Sequence, residues 1–148
     1  MAPKTKISQK AQEEHLVKVL KAWQAVEDAS IKGCRTVQEH TKNPLIHTVM
    51  EIIAHDSAMH RRVQQFIIDS VEKTAITLQP EELEEIWGQL TQHIAEEKKT
   101  IDLAEQAKAS TRLFVQRYLL NYLLEDERKH DQLLERLEEI KNRIYPYA

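Results

Sequence analysis

A carboxylate and an imidazole interrupt the apolar face of a long helical segment near the C-terminus. Glu127 and His130 lie three residues apart, so on a helix they share one face, about a turn from each other. The residues that flank them at helical spacing are leucines: Leu120, Leu124, Leu134 and Leu137. Asp126 adds a second carboxylate beside the first. This pattern is typical of one helix of a carboxylate-bridged metal site, because Glu supplies an oxygen, His supplies a nitrogen and Asp can orient the His.

Length and composition predict one compact all-α domain covering residues 1–148. The chain has 148 residues, enough for a single sizeable core. It contains only two Gly and four Pro, with 30% charged and 41% hydrophobic residues. Sheets and long loops would require more turn-forming residues than this composition supplies.

Charge and cysteine content exclude several classes of protein. The net charge is −3, with acids and bases interspersed, which does not indicate a nucleic-acid-binding surface. The one cysteine, Cys34, excludes an intramolecular disulfide framework and the paired cysteines of a rubredoxin-type iron centre. We expect it to be a small buried apolar group. No signal-peptide core and no run of 18 apolar residues is visible, so we expect a soluble cytoplasmic protein without a membrane span.

Apolar periodicity and helix-capping residues predict four helices. We place them at about residues 7–36, 44–73, 80–109 and 111–144. Asn43 and Pro44 supply an N-cap and a first-turn proline for the second helix. Pro80 opens the third helix, and Ser110 or Thr111 caps the fourth. The two tryptophans, at positions 23 and 87, are predicted to lie in the core.

An internal repeat relates the two halves of the chain at an offset of 70 residues. The matched pairs are Leu20 and Leu90, Glu27 and Glu97, Ile31 and Ile101, Ile53 and Leu123, Asp56 and Asp126, His60 and His130, and Ile67 and Leu137. Each half therefore forms a helical hairpin with a Glu on its first helix and Asp-x-x-x-His on its second. Ser57 is the exception, because it stands where the second copy has Glu127.

The helix order, the repeat and the segment from Asp126 to His130 resemble the ferritin-like superfamily, specifically its rubrerythrin and diiron-carboxylate branch. The resemblance covers nearly the whole chain, and its specific motif is confined to residues 126–130. It implies a four-helix bundle of two repeated hairpins with metal ions between the helices. By position, the implied metal ligands are Glu27, His60, Glu97, Glu127 and His130. Asp56 and Asp126 would each hydrogen-bond a ligand His across the bundle.

Ser57 changes what such a site can hold. A serine cannot bridge two cations as a carboxylate does, and it removes one negative charge. Three carboxylates and two imidazoles suit one tightly bound ion and a second, weaker one. The mixture of oxygen and nitrogen ligands favours iron, or manganese, over structural zinc. His93 is the most plausible additional ligand, because it shares part of a helix face with Glu97.

Burial energetics favour a metal over a chance cluster. Each core-facing carboxylate would cost several kcal/mol to bury without compensation. A domain has only about 5–15 kcal/mol of net stability. Protons, a cation or local solvent must therefore relieve the three carboxylates. Because two imidazoles are expected at the same height along the helices, a metal ion is the simplest way to compensate the charge of the carboxylates.

The resemblance implies iron-dependent oxygen or peroxide chemistry with an external electron donor, since the chain lacks rubredoxin-like cysteines. One alternative is a degenerate bundle that lost metal binding at Ser57 and acts as a dimeric interaction module. Another is a hemerythrin-like oxygen binder, to which His47 and Glu51 would contribute, although the third helix lacks His-x-x-x-His.

The segment 71–80 fits either a ferritin-like crossover or a simple up-down turn. If two copies of the chain exchange hairpins, the result is a homodimer, which is the oligomer that we expect.

Overall fold

Four α-helices make up nearly all of the described chain. The computed structural model describes residues 8–143, and within that range it contains no strand. The helices are α1 (Gln9–Glu39), α2 (Pro44–Glu72), α3 (Pro80–Ala109) and α4 (Phe114–Arg143). Within the described residues, no helix combines the length and the hydrophobicity that a membrane span requires. The prediction of an all-α fold with four helices is confirmed.

The described part of the chain divides into two compact units, with the boundary between Ile76 and Thr77. In the first, α1 packs against α2, and we call it the N-terminal hairpin. In the second, α3 packs against α4, and we call it the C-terminal hairpin. The two helical hairpins predicted from the repeat are therefore present. Their association into one bundle, the topology of that bundle and its single-domain character remain predictions.

Capping residues explain where the helices begin. The Asn43 side chain accepts a hydrogen bond of 3.0 Å from the Leu45 amide, and Pro44 occupies the first position of α2. Before α3, the Gln79 amide donates to the Glu82 carboxylate at 2.8 Å, as in a capping box. These contacts satisfy amide groups that have no partner inside the helix.

The 70-residue repeat is also visible in the turn of each hairpin. The second helices begin at residues 44 and 114, after turns at residues 40–43 and 110–113. In the first turn, His47 Nε2 lies 2.6 Å from the Thr41 carbonyl oxygen. In the second, Arg117 Nη1 donates to the Thr111 carbonyl oxygen at 3.2 Å. Equivalent side chains thus tie equivalent turns to the helices that follow.

Each hairpin buries a small core between its two helices. In the N-terminal hairpin, the buried apolar side chains are Val17, Leu20, Cys34 and Ile68. The burial of Cys34 agrees with its prediction. Polar Gln24 and Gln64 are buried on the same helices. In the C-terminal hairpin, Leu83 and Leu124 are buried.

Two predicted helix ends are wrong by a few residues. α1 continues to Glu39, beyond the predicted end at residue 36. α4 begins at Phe114 rather than at residue 111, because Thr111 accepts a hydrogen bond from the Leu113 amide within the turn. Thr111 therefore stabilises the turn and does not begin the helix. The predicted first residue of helix one, 7, and last residue of helix four, 144, lie outside the described residues.

Trp23 is not a core residue, contrary to the prediction. It is 52% exposed, whereas Leu20 and Gln24 on the same helix are buried. The reason is that α2 covers only one side of α1, and Trp23 lies on the adjoining arc of the helix. Trp87 is half-buried, and Lys141 Nζ lies 4.0 Å from its ring centroid.

Candidate metal centre

The C-terminal hairpin brings together two carboxylates and one imidazole. Glu97 comes from α3, and Glu127 and His130 come from α4. One possible ligand atom from each of the three side chains lies within 4.8 Å of the others. His130 Nδ1 is 3.6 Å from Glu97 Oε2 and 3.4 Å from Glu127 Oε2. Three residues predicted from the sequence as ligands therefore converge in one hairpin.

Glu97 is the most buried member of this cluster. It is only 9% exposed, and its Oε2 atom has no hydrogen-bond donor among the described residues. Its other carboxylate oxygen, Oε1, lies 3.1 Å from His93 Nε2. A buried carboxylate oxygen without a donor costs several kcal/mol if nothing compensates its charge. A cation placed between Glu97, Glu127 and His130 would supply that compensation.

Neighbouring polar groups lie beside two of the three side chains. The Thr100 hydroxyl lies 2.7 Å from the Glu97 carbonyl oxygen, its shorter contact, and 3.2 Å from Glu127 Oε2. Asp126 Oδ2 lies 3.6 Å from His130 Nε2 and belongs to the same helix. Asp126 also forms an ion pair with Lys129. Asp126 lies on the Nε2 side of the imidazole, and His130 Nδ1 faces the two glutamates. In metal-binding histidines, the nitrogen that does not bind the ion commonly has a carboxylate beside it.

The N-terminal hairpin contains the equivalent residues with one carboxylate fewer. Glu27 is buried, and its Oε1 lies 3.4 Å from His60 Nδ1. Ser57 is also buried, and its hydroxyl hydrogen-bonds the Ser30 hydroxyl at 3.2 Å. This hairpin thus brings together one Glu and one His from the predicted ligand set. That pair alone offers too few groups to hold a metal ion tightly.

The contacts that Asp56 and His47 make among the described residues are with groups other than Glu27 and His60. Asp56 Oδ1 is 3.9 Å from Nδ1 of the neighbouring His55. His47 Nε2 is directed to a backbone carbonyl in the turn between α1 and α2. This contact engages the imidazole that the hemerythrin-like alternative would use as a ligand.

Two hydroxyl groups beside the sites were not singled out from the sequence. Thr100 lies beside Glu127, and Ser30 lies beside Ser57. Ser30 and Thr100 are separated by the same 70 residues as the other repeated positions. A comparison at the 70-residue offset that includes hydroxyl residues, as well as apolar and charged ones, therefore identifies both positions.

The chain matches no protein family, no curated protein and no solved structure. The resemblance to the ferritin-like superfamily therefore rests on the sequence pattern alone.

Proposed function

We propose that the protein binds a divalent transition-metal ion in its C-terminal hairpin through Glu97, Glu127 and His130. The observation that carries this proposal is the buried Oε2 atom of Glu97, which lacks a hydrogen-bond donor among the described residues. That atom lies on the same side of the hairpin as the Nδ1 atom of His130, 3.6 Å away. A bound cation would give this oxygen atom a partner.

The spacing of the polar atoms agrees with metal ligation. Ligands about 2.0–2.2 Å from a tetrahedral ion are separated from each other by about 3.4 Å. The distances from His130 Nδ1 to the two carboxylate oxygens are 3.4 Å and 3.6 Å. The two carboxylate oxygens lie within 4.8 Å of each other, so side-chain movements that close this gap would place all three atoms around one ion.

Iron is the metal that the proposal favours, with manganese next, because two carboxylates and one imidazole suit these ions. Bound iron would supply electron transfer to oxygen or peroxide. The proposed activity is an iron-dependent oxidoreductase of ferritin-like type that takes electrons from an external donor. In this scheme Glu97, Glu127 and His130 hold the ion, while Glu27 and His60 offer a weaker second position. The 70-residue repeat of helix bounds and side-chain contacts supports the ferritin-like assignment.

Metal stoichiometry tests this function directly. The untagged protein is loaded anaerobically with ferrous iron, freed of excess metal and measured by elemental analysis. We expect one or two irons per chain in the unaltered protein and none at this site after Glu127→Ala combined with His130→Ala. Glu138→Ala is the control, because Glu138 is an exposed carboxylate on the same helix. Equal metal content in all three proteins would exclude the site.

A second candidate function is a metal-free homodimeric interaction module. The observation that favours it is the exposure of large apolar side chains in the N-terminal hairpin, among them Trp23, Val26 and Phe66. Its helices contain 31 and 29 residues. Two such helices side by side cover about 45 Å by 20 Å, which is similar to the roughly 800 Å² that each partner contributes to a stable interface.

Analytical ultracentrifugation of metal-free protein tests the second candidate. We expect a species of twice the 17.3 kDa chain mass. Trp23→Lys combined with Val26→Lys should convert it to a monomer, because two charges would then have to be buried in the interface. Lys18→Ala, an exposed change on the same helix, serves as the control. A monomer without any substitution would eliminate this candidate.

A further inference from the structure

The turn between α3 and α4 exposes large apolar side chains at one end of the C-terminal hairpin. Phe114, the first residue of α4, is 82% exposed, and Leu113 before it is 63% exposed. Val115 and Tyr118, in the first turns of α4, are 45% and 47% exposed. We call these four side chains the apolar tip. Among the large apolar side chains in the described part of the chain, Phe114 is the most exposed.

The equivalent turn of the N-terminal hairpin has residues that begin a helix well. Asn43 and Pro44 stand where the second repeat has Leu113 and Phe114. The Asn43 side chain accepts hydrogen bonds from two amides in the first turn of α2. Leucine has no side-chain oxygen for this role and is among the least favourable residues immediately before a helix. The C-terminal hairpin thus lacks a helix cap and exposes apolar area in its place, which indicates that the tip serves a purpose other than folding.

The segment that contains the apolar tip is cationic, although the whole chain has a net charge of −3. Residues 106–124 contain no Asp or Glu and three cationic side chains: Lys108, Arg112 and Arg117. Arg112 is exposed and lies within the turn itself. Arg117 is anchored at the turn, because its Nη1 atom donates to the Lys108 and Thr111 carbonyl oxygens at 2.9 Å and 3.2 Å. Positive charge is therefore concentrated around the exposed apolar side chains.

We propose that the apolar tip binds the surface of an anionic lipid bilayer. In this arrangement Leu113 and Phe114 enter the boundary between headgroups and acyl chains, and Tyr118 lies at the level of the headgroups. The cationic side chains stay among the lipid phosphates, which attract them. Because the tip is the end of a hairpin, it can enter the bilayer surface while both helices remain intact. The binding is peripheral and requires no membrane-spanning helix.

Charge and area favour a lipid surface over a second copy of the chain. A two-fold contact between two tips would place the three cations of one copy opposite the same three cations of the other. Four side chains at the end of a hairpin also present less area than the roughly 800 Å² that each partner contributes to a stable protein interface. Binding to a bilayer instead grows with the apolar area buried and with the attraction to anionic lipids, both of which the tip supplies.

The apolar tip and the candidate metal centre are well separated on α4. The 13 residues from Phe114 to Glu127 correspond to about 20 Å along the helix. Interfacial apolar side chains enter a bilayer by only about 5–10 Å. The carboxylates and the imidazole of the metal centre therefore stay outside the bilayer. The inference accordingly goes beyond the proposed metal binding and does not depend on it.

Vesicle flotation tests this inference with the full-length protein. The vesicles contain either phosphatidylcholine alone or phosphatidylcholine with a minority of phosphatidylserine. We expect the protein to float with the vesicles that contain phosphatidylserine and to bind those of phosphatidylcholine alone much more weakly. High salt should weaken the binding, because it screens the attraction between the cationic side chains and the lipid.

The repeat supplies the variant that tests the tip. Leu113→Asn combined with Phe114→Pro introduces the residues of the N-terminal turn, which favour the start of a helix, so the fold should be retained. We expect its partition onto the vesicles to fall at least about 10-fold, because the burial of two large apolar side chains is lost. Arg112→Gln should lower the partition about 5-fold, because one cation is lost. Leu133→Asn is the matched control, since Leu133 is 61% exposed on the same helix and far from the tip, and it should change nothing.

Several results would overturn the inference. One is an unaltered protein that does not bind vesicles containing phosphatidylserine. Another is equal binding by the unaltered protein and by Leu113→Asn combined with Phe114→Pro, or an equal loss of binding in Leu133→Asn. If the double variant without vesicles instead has a lower mass in sedimentation than the unaltered protein, the tip is a contact between copies and not a lipid-binding site. Far-ultraviolet circular dichroism verifies that each variant keeps its helices.

Discussion

At the scale of single residues, one pair of equivalent positions in the repeat decides how many carboxylates each hairpin holds. The first hairpin has Ser57 there, and the second has Glu127. The Ser57 hydroxyl contacts the Ser30 hydroxyl at 3.2 Å. At the equivalent place, Glu127 contacts the Thr100 hydroxyl at the same distance of 3.2 Å. In both hairpins this position therefore lies beside a hydroxyl group, from Ser30 in one and from Thr100 in the other. A carboxylate introduced at position 57 should find the same kind of neighbour that Glu127 has.

The first prediction is that Ser57→Glu raises metal binding in the N-terminal hairpin. The new carboxylate would join Glu27 and His60, which are already 3.4 Å apart. We expect about one additional ion per chain under saturating ferrous iron, measured by elemental analysis. Ser57→Gln is the matched control, since it has nearly the same size without the charge and should add no metal. An unchanged stoichiometry in Ser57→Glu would show that position 57 does not face the pair.

Thr100 gives a second prediction at this scale. Thr100→Val keeps the shape of the side chain but removes the hydroxyl, which contacts the Glu97 carbonyl oxygen at 2.7 Å and Glu127 Oε2 at 3.2 Å. Loss of such an orienting contact typically weakens metal affinity by about 10- to 100-fold. Titration with Co²⁺ measures the effect. Thr91→Val is the control, because the Thr91 hydroxyl donates only to the Trp87 carbonyl oxygen, at 2.9 Å, in the same helix. Equal losses in both variants would refute a specific role for Thr100.

At the scale of elements, helix register positions the candidate ligands. In each hairpin, one short turn sets how far the second helix slides along the first. Because the two turns lie 70 residues apart and are tied by equivalent contacts, the same register recurs. The result is the same Glu–His pairing twice, Glu27 with His60 and Glu97 with His130. A change in turn length would rotate or shift one ligand away from the other.

The Asp69 carboxyl group, in the last turn of α2, leads to a prediction about pH. The Lys73 ammonium and then the Gln65 amide hold the pKa of Asp69 below its ordinary value by hydrogen bonding to its carboxylate. A carboxyl group with a lowered folded-state pKa stabilises the fold above its unfolded-state pKa, and this contribution is lost as the pH falls through the folded-state value. Lys73→Gln should therefore raise the Asp69 pKa toward the ordinary range.

Carboxyl chemical shifts followed by NMR from pH 2 to pH 6 measure this effect. Lys42→Gln, at the exposed turn before α2, leaves Asp69 untouched and serves as the control. Because Asp69 is solvated, the accompanying change in stability should be small. An Asp69 pKa that is identical in all three proteins would refute the assigned role of Lys73.

At the scale of the whole molecule, the two hairpins have similar helices but unequal polar interiors. Metal binding should therefore stabilise them unequally. An ion present at 100 times its dissociation constant adds about 2.7 kcal/mol to the folded state. We predict that Mn²⁺ increases amide-hydrogen-exchange protection most strongly in residues 80–143. The gain should disappear in Glu97→Gln, which keeps the size of the side chain but removes its charge. A larger gain in residues 9–72 would contradict the location of the site.

The sequence by itself determined the helices, the repeat and the polar residues that interrupt the apolar faces. These features depend on local spacing: a 3.6-residue period, capping side chains at helix starts and a constant 70-residue offset. For the same reason, the predicted bounds of α3 agree with the structure. The predicted end of α1 and the predicted start of α4 differ from the structure. Polar turn residues can either continue a helix or end it, and hydrogen bonds in the turn decide between the two.

Only the tertiary structure decided which of these polar residues meet. It placed Glu97 between His93 and His130, brought Thr100 to Glu127, and left Trp23 exposed. Such contacts depend on the register between two helices and on side-chain rotamers, neither of which is written in the spacing along one helix. The sequence therefore identified the candidate ligands, whereas packing within each hairpin determined that one hairpin gathers a cluster and the other a single Glu–His pair.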